Sequence, residues 1–330
     1  MRAVQYAEAG GPEVIRVTEG EDPVPSAGQV LIEVAAAGLN RADVMQRMGV
    51  YPPPEGVTEI PGLEVSGTVV AAGEGSEDAV RRLIGTEVVA LLAGGGYAEK
   101  VAVDARQVLP VPAGVSLTDA AGLIEVAATV HSNLRGEAGV TSEDIVLIHG
   151  GTGGIGSFAL QHLRELGATT ITTVGGPQKA ELAARLGADH VIDYREEDVR
   201  GRVREITGGR GVDVILDVVG AKYLETNLKS LAVDGRMVVI GLQGGRKAEL
   251  DLGLMLGKRL RIIATTLRSR DAAAKGEILR GVAEEVWPLI EAGAISVQTD
   301  RVFPLEQARA AQEYFDSGEH TGKVLLEISR

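Results

Sequence analysis

Short runs of alternating apolar and polar residues dominate the chain up to about residue 120. They are rich in Val and Ile, and turn-forming segments such as GGPE, DPVPSAG and YPPPEG separate them. The predicted strands are MRAVQYA, EVIRVTE, QVLIEVAAAG, LEVSGTVVAAG, GTEVVALLA and YAEKVAV. Alternation interrupted by Gly and Pro at this spacing is typical of antiparallel sheets. It predicts a small antiparallel β-barrel.

Beyond this region, apolar strands alternate with amphipathic helices. The six predicted strands cover 143–149, 169–175, 190–194, 213–220, 235–241 and 259–267. Helical patterns such as IGSFALQHLRELG and PQKAELAARLG follow the first two strands, and Pro177 suits a first helical position. Strand–helix alternation is typical of a parallel α/β sheet. Six strands in this succession predict a doubly wound dinucleotide-binding fold.

Two domains follow from these patterns. We expect 122–292 to form the dinucleotide-binding domain, with a long helix over 272–293. The residues from Val302 onward predict a turn, a helix and a final apolar strand, which is too little to fold alone. We therefore expect 293–330 to return to 1–121 and to complete the first domain. The fold class is α/β.

Charge and composition exclude some classes of function. Among 330 residues, 33 are Lys or Arg and 46 are Asp or Glu, which gives a net charge of −13, and only 3% are aromatic. A nucleic-acid surface needs clustered cations and stacking rings, so we expect no nucleic-acid partner. Apolar runs long enough to span a membrane are lacking, and the first residues show no signal or transit pattern. We expect a soluble, cytoplasmic protein.

Metal chemistry is disfavoured by the residues available. The chain has no cysteine, which removes disulfides, thiolate nucleophiles and Cys-based zinc sites. It has five histidines, and no two are three or four positions apart, so one helix face cannot present a His pair. Distant histidines combined with carboxylates remain an open route. We expect no bound metal.

The strongest motif is HGGTGGIG at 149–156, between a predicted strand and a predicted helix. Its glycines allow a tight turn and let a pyrophosphate approach the helix N-terminus, where free N–H groups favour negative charge. The predicted cofactor contacts are Gly151, Thr152, Gly153, Gly154, Ile155 and Gly156. In a chain with 44 glycines, a merely structural turn is the alternative.

The end of the next strand bears on the choice of cofactor. NAD-specific sites usually carry Asp or Glu there, bound to the ribose 2′-hydroxyl, but this chain has Gly175 and Gly176. Lys179 is a cation that can meet a 2′-phosphate, and Tyr194 can donate a hydrogen bond to it. These residues predict NADPH. The alternative for Lys179 is an ordinary solvated helix residue.

Several segments together resemble one protein family. They are GLNRADVMQRMGVYPPP (38–54), PGLEVSG (61–67), LIEVAATV (123–130), VLIHGGTGGIG (146–156), LGADHVIDYREED (186–198), ILDVVG (215–220) and TLRSRD (266–271). Over essentially its whole length the chain resembles zinc-independent quinone oxidoreductases of the medium-chain dehydrogenase/reductase superfamily, of the p53-inducible type. The resemblance implies a GroES-like β-barrel catalytic domain and a Rossmann domain.

The resemblance also bears on metal. Zinc-dependent members have Gly-His-Glu where this chain has Gly62, Leu63 and Glu64. We therefore expect direct hydride transfer without a Lewis acid. A quinone suits that chemistry because its electron-poor ring accepts hydride unaided, whereas an alcohol must first lose a proton.

Individual site residues are implied by the same resemblance. The catalytic candidates are Asn40, Asp43 and Tyr51. Asn40 offers an amide to the cofactor and Tyr51 lines the quinone pocket, whereas a loop-capping Asn–Asp pair and a packing Tyr are the alternatives. Further cofactor candidates are Thr129, Val219, Gly241, Leu242, Leu267, Arg268 and Lys323. The alternatives are that Thr129 is an ordinary helix residue and that Lys323 is solvated, without contact to the cofactor. The chain departs from its relatives at Gly176, where many have a small hydroxyl residue, and at Met45, where several have an aromatic.

These observations predict an NADPH-dependent quinone oxidoreductase. A reductase of enoyl thioesters or enones is an alternative, because any activated alkene suits the same hydride geometry. A non-catalytic NADPH-binding sensor or a structural protein represents a different class. We also expect a homodimer, because the apolar strand at 259–267 lies at a sheet edge and invites pairing with a second copy.

Overall fold

The computed structural model describes residues 1–328, and the strands in this range alternate with short helices. In chain order the strands are β1 (Arg2–Tyr6), β2 (Ile15–Glu19), β3 (Gln29–Gly38), β4 (Glu64–Ala72), β5 (Glu87–Leu91), β6 (Lys100–Asp104), β7 (Val108–Pro110), β8 (Ile145–His149), β9 (Thr169–Val174), β10 (His190–Asp193), β11 (Val212–Asp217), β12 (Leu231–Val239), β13 (Arg261–Ala264), β14 (Thr299–Pro304) and β15 (Lys323–Glu327).

The α-helices are α1 (Arg41–Arg47), α2 (Asp78–Arg81), α3 (Leu117–Ala120), α4 (Ile124–Val130), α5 (Gly154–Leu166), α6 (Pro177–Arg185), α7 (Val199–Ile206), α8 (Leu224–Ser230), α9 (Leu252–Lys258), α10 (Ala272–Glu285), α11 (Trp287–Glu291) and α12 (Ala308–Ser317). A π-helical segment, His131–Glu137, continues α4. None of the helices in the described range is both long and apolar enough to cross a membrane.

The chain divides into two compact units. One comprises Thr129–Thr266, and the other comprises Met1–Ala128 together with the chain from Leu267 onward. We call them the nucleotide unit and the discontinuous unit. The predicted domain limits at 121 and 293 stay a prediction.

The nucleotide unit is built on one parallel sheet of six strands, in the order β10-β9-β8-β11-β12-β13. This is the order of a doubly wound dinucleotide fold, so the fold predicted from the six apolar strands is confirmed. Most of these strands are rich in apolar residues because both faces of the sheet are covered. Leu147, Ile171 and Ile215 are fully buried in the core. Helix α6 begins at Pro177, as predicted.

The discontinuous unit contains a seven-stranded sheet. Its strands follow the path β14-β15-β3-β4-β5-β7, and β6 pairs with β3 beside that path. Strand β15 runs antiparallel to β3, with Leu325 opposite Gly38. The predicted barrel is wrong in one respect, because within residues 1–328 β14 and β7 do not pair and the sheet stays open. Strand β7 has only three residues and ends at Pro110, which has no N–H to offer a further strand.

The long helix predicted over 272–293 is two helices. Helix α10 ends at Glu285, and α11 begins at Trp287 with Pro288 as its second residue. Proline lacks a backbone N–H, and its ring clashes with the carbonyl of the preceding turn. The apolar pattern of the sequence therefore continues to residue 293, whereas the helix itself is broken near Pro288.

Candidate dinucleotide and substrate sites

The glycine motif forms the turn between β8 and α5. Gly150 has a φ of 76°, a conformation that favours glycine. A Cβ on Gly151 would overlap the side chain of Thr172, and one on Gly156 would overlap the carbonyl oxygen of Gly150. By contrast, a Cβ on Gly153 would lie 3.6 Å from its nearest neighbour, which is ordinary contact. Packing within the protein therefore requires glycine at positions 151 and 156. At Gly153 it does not, and there is space for a side chain or for a ligand atom.

A buried polar network lies beneath this turn. His149 is 2% exposed, and its Nδ1 lies 3.0 Å from Thr173 Oγ1. Its Nε2 lies 2.7 Å from Asn227 Oδ1. Burial lowers the pKa of His149, so the ring is held neutral. The network fixes the end of β8, from which the glycine turn departs; sequence analysis did not identify it.

The end of β11 is fixed by its own last residue. Asp217 accepts hydrogen bonds from the backbone N–H of Val219 at 2.8 Å and of Gly220 at 2.9 Å. Burial raises the pKa of Asp217. At the end of the neighbouring strand β12, Gly241 leaves no space for a side chain, because a Cβ would lie 2.8 Å from Val218 O. The next residue, Leu242, is 42% exposed.

Gly175 and Gly176 follow the end of β9 and are covered by residues that follow β10. An ideal Cβ on Gly175 would lie 2.6 Å from the Tyr194 hydroxyl and 3.0 Å from Arg195 Nε. Gly176 has a φ of 103° and donates its N–H to Asp193 Oδ2 at 3.1 Å. Arg195 is a second cation beside this pocket that sequence analysis missed, although it directly follows Tyr194.

The predicted cofactor residues of the nucleotide unit therefore share one edge of its sheet. The glycine turn, Gly175–Gly176, Val219 and Gly241–Leu242 all follow the carboxyl ends of parallel strands. This edge is where doubly wound sheets bind ligands. Lys179 lies in the first turn of α6, and Thr129, 7% exposed, precedes the π-helical segment.

In the discontinuous unit, Asn40, Glu64 and Lys323 form a buried cluster. Lys323 Nζ donates to Glu64 Oε1 at 2.6 Å, to Asn40 Oδ1 at 2.9 Å and to Leu39 O at 2.9 Å. Asn40 Nδ2 donates to Glu64 Oε1 at 3.0 Å and to Gly38 O at 3.3 Å. The amide of Asn40 is thus oriented by an ion pair, and Lys323 is 4% exposed rather than solvated.

Asp43 joins three segments of the discontinuous unit. Its Oδ2 accepts from Asn40 N at 2.8 Å and from the Tyr97 hydroxyl at 2.7 Å, and its Oδ1 accepts from Gly62 N at 3.1 Å. Burial raises the pKa of Asp43 to about 6. The carboxyl group positions the loop that carries Asn40. Its predicted catalytic role stays a prediction.

Tyr51 and Arg268 lie together in the same unit. The Arg268 guanidinium lies 5.4 Å from the centre of the Tyr51 ring and donates to Tyr51 O at 3.3 Å. It also donates to Gln46 Oε1 at 2.6 Å and to Ala93 O at 2.7 Å. Burial lowers the pKa of Arg268. Arg268 therefore holds the tyrosine loop in place, with Leu267 half-buried beside it.

Two family models match the chain. Residues 26–113 match the alcohol dehydrogenase GroES-like domain, and residues 154–282 match the zinc-binding dehydrogenase family. Quinone oxidoreductase 1 of Escherichia coli is 33% identical over 327 residues, which are 98% of this chain and 98% of that protein. The crystal structure of E. coli quinone oxidoreductase complexed with NADPH superimposes with a TM-score of 0.90, at 33% identity, over 99% of this chain and 100% of that one.

A stretch of the phthioceranic/hydroxyphthioceranic acid synthase of Mycobacterium bovis is also similar. It is 34% identical over 330 residues, and this chain spans 98% of its own length but only 15% of the synthase. With the sheet order and the glycine turn, the full-length matches place this chain in the medium-chain dehydrogenase/reductase superfamily, among its quinone oxidoreductase-like members. The predicted α/β fold class, with GroES-like and Rossmann-type parts, is confirmed.

One of these family models is named for zinc, and the residues of this chain do not fit that ion. Leu63 has no ligand atom and is 4% exposed, and the neighbouring Glu64 is already neutralised by Lys323. Among residues 1–328, no three His, Cys, Asp or Glu side chains are grouped so that they could hold a metal ion.

Proposed function

We propose that the protein is a zinc-independent NADPH:quinone oxidoreductase of the p53-inducible type. The observation that carries this proposal is the end of β9, where Gly175 and Gly176 replace the usual acid and lie beside Tyr194 and Arg195. That environment suits a 2′-phosphate. The NADPH-bound E. coli relative, matched over its full length, supports the same cofactor.

The nucleotide unit would hold NADPH through its backbone. The turn over 151–156 leaves room at Gly153 for the pyrophosphate and presents the free N–H groups of the first turn of α5. Lys179, Tyr194 and Arg195 would bind the 2′-phosphate, while the carboxylate of Asp193 opposes it. We therefore infer a moderate preference for NADPH over NADH.

The discontinuous unit would supply the groups around the quinone. NADPH provides a hydride from its nicotinamide ring, and a quinone accepts hydride without prior deprotonation. The Tyr51 ring, fixed by Arg268 and followed by Pro52–Pro54, offers a flat surface for an aromatic substrate. The ion pair of Lys323 with Glu64 orients Asn40. Positioning supplies most of the catalysis in such a reaction.

The second candidate is an enoyl-thioester or enone reductase. The 34% identity to a stretch of an acid synthase favours it, because an activated alkene accepts hydride in the same geometry. A non-catalytic NADPH-binding sensor would share the fold and lack turnover.

A homodimer through the edge of the nucleotide unit belongs to the same proposal. Strand β13 is the last strand of its sheet, and the preceding helix α9 exposes Leu252 by 64% and Leu256 by 80%. An open edge beside exposed apolar side chains is suited to a second copy of the chain. We also propose a cytoplasmic location.

The deciding experiment follows NADPH absorbance with purified protein. Oxidation with 1,2-naphthoquinone but not with crotonyl-CoA supports the quinone proposal, and the reverse result supports the second candidate. Tight NADPH binding without turnover on any acceptor supports the sensor. Lys229→Met is a control variant, because Lys229 is a helix-surface residue paired with Glu225.

A further inference from the structure

A row of buried polar side chains crosses the ligand-binding edge of the nucleotide unit. His149 is paired with Thr173 across β8 and β9, and Ile148, one position earlier, is paired with Leu216 of β11. Side chains alternate between the two faces of a sheet, so Thr173, His149 and Asp217 point to the same face. All three are 2% exposed or less. Strands covered on both faces are ordinarily apolar, so this row needs an explanation.

His149 has a defined hydrogen-bonding pattern. Its Nε2 lies 2.7 Å from Asn227 Oδ1, which can only accept, so Nε2 carries the hydrogen. Burial lowers the pKa of His149, although the charge of Asp217 opposes this effect. The ring is therefore neutral, and its Nδ1 accepts from the Thr173 hydroxyl at 3.0 Å. Tyr223 packs edge-on against the ring, with centres 5.0 Å apart. The neutral Nε2–H tautomer thus joins β8 to β9 and to α8.

Thr173 connects this histidine to the glycine turn. Its carbonyl oxygen accepts from Gly150 N at 3.0 Å and from Gly151 N at 3.2 Å. Its hydroxyl, which donates to His149, also lies 3.4 Å from Gly150 N. The position of the turn against β9 is thus set by Thr173, and the side chain of Thr173 is in turn held by His149.

Asn227 is the other partner of His149, and stability alone does not account for it. The residue is 0% exposed, and its Nδ2 is completely covered without a well-formed hydrogen bond in residues 1–328. The amide also lowers the pKa of Asp217 against the effect of burial. A covered N–H that lacks a good acceptor lowers stability, and an apolar pair in place of Asn227 and His149 would avoid that cost. The amide is therefore explained by the ring orientation that its Oδ1 enforces.

We propose that His149 is a positioning residue for the dinucleotide, and that its neutral Nε2–H ring fixes the glycine turn in the conformation that receives the pyrophosphate. The inference rests on the cofactor of the proposed function, and it holds whichever acceptor takes the hydride. His149 acts through Thr173 and Asn227. A network that only stabilised the fold could be replaced by apolar side chains without loss of binding, whereas a positioning network could not.

The binding test uses calorimetric titration of the full-length protein with NADP⁺. The double variant His149→Leu with Asn227→Val removes the polar pair at similar size and should keep the melting temperature close to that of wild type. Its Kd for NADP⁺ should nevertheless rise about 10-fold, which is the equivalent of one hydrogen bond. His149→Gln keeps a donor for Asn227 and should recover most of this affinity. His190→Gln, at the exposed amino end of β10, is the matched control and should bind as wild type.

The outcomes of this titration separate the inference from the proposed function. If the double variant binds NADP⁺ as tightly as wild type, the inference is wrong and the cofactor assignment stands. If it shows the expected loss but the wild type reduces no quinone, the proposed quinone activity fails and the inference stands. A wild type that binds no NADP⁺ overturns both. Should the double variant not fold, the following spectrum of the wild type decides.

A spectroscopic test measures the ring itself. In protein labelled with ¹⁵N-histidine, the signals of His149 are identified by their loss in His149→Gln. They should show the Nε2–H tautomer, and the ring should stay neutral at about pH 6, where an ordinary exposed histidine is largely protonated. NADP⁺ should shift the signals of His149 and leave those of His190 in place. An Nδ1–H tautomer, titration at the ordinary value of about 6.5, or signals that NADP⁺ does not shift would overturn the inference.

Discussion

Lys323 Nζ lies 2.6 Å from Glu64 Oε1, and the two side chains are only 5% and 0% exposed. The pair joins β15 to β4 and holds the amide of Asn40 between them. A buried ion pair of this kind is weak evidence for net stability, but removing one partner leaves an uncompensated charge. Its main effect is to fix the position of Asn40.

Lys323→Met should therefore lower the free energy of unfolding by about 3–5 kcal/mol, because Glu64 is left charged and unpaired. Urea denaturation followed by circular dichroism measures this change. The double variant Glu64→Leu with Lys323→Met should recover most of the loss. If the double variant is as unstable as the single one, the loss comes from packing rather than from charge.

The glycine turn offers a matched pair of substitutions. Gly156→Ala should destabilise the fold, because the new Cβ would overlap Gly150 O. Gly153→Ala has room within the protein, with 3.6 Å to its nearest neighbour, and should leave the melting temperature unchanged. It should nevertheless weaken NADPH binding at least 10-fold, since its methyl group would occupy the space left for the pyrophosphate. Thermal melts and fluorescence titrations with NADPH separate the two effects.

Cofactor choice is testable at the end of β9. Lys179→Ala and Arg195→Ala should each raise the KM for NADPH by about 10-fold and leave that for NADH nearly unchanged, because one charge-assisted hydrogen bond contributes about 1.5–3 kcal/mol. Lys229→Ala, on the surface of α8, serves as the control. Equal losses with both cofactors, or a wild type that prefers NADH, would show that this pocket does not bind a 2′-phosphate.

Lys275 of α10 is only 2% exposed, and its burial predicts a pH-dependent stability. Its pKa of about 8 is below the ordinary value of 10.5, so the unfolded chain binds more protons between these values. Stability from this group therefore rises with pH across that window, and the penalty below pH 8 is about 3 kcal/mol. Lys275→Met should be more stable than wild type at pH 7, and the difference should shrink by pH 10. Urea denaturation at both pH values checks the sign; a constant difference contradicts it.

Dimerisation is testable at the sheet edge. Ile263→Lys places a charge in β13, where Ile263 lies opposite Val238 of β12. Within residues 1–328, no strand pairs with the other side of β13. Wild type should scatter light as a dimer at micromolar concentration, and the variant should be a monomer, because a charged edge resists strand pairing. Asp234→Lys, at an exposed position paired with Arg259, is the control for added charge. A monomeric wild type would contradict the proposal.

The parts of the fold set by local pattern were predictable. Most of the six strands of the nucleotide unit are rich in Val, Ile and Leu, and the glycine turn follows the first of them. Partners far apart in sequence were not predictable. His149 meets Asn227 across 78 positions, and Lys323 meets Asn40 across 283. No local pattern specifies such pairs, because the sheet order decides them.

The open sheet was missed for a related reason. The three-residue strand β7 was not predicted, because so short a segment shows no alternation. Closure of a barrel also depends on strand length and on free N–H groups at both edges. Arg195 was missed because a charged residue after a strand is usually solvated. Its guanidinium lies beside Gly175, and this position follows from the fold and not from a local sequence pattern.

Strand β15 pairs with β3 although nearly 290 positions separate Leu325 from Gly38. During synthesis on the ribosome, the nucleotide unit emerges complete while β3 still lacks this neighbour. Domains fold as units as they emerge. The nascent chain would therefore carry a folded nucleotide unit and, in the discontinuous unit, a sheet that still lacks β15. Until residues 323–327 leave the exit tunnel, that sheet exposes an unpaired edge and an uncompensated Glu64. Molecular chaperones that shield such edges would matter most at this last stage.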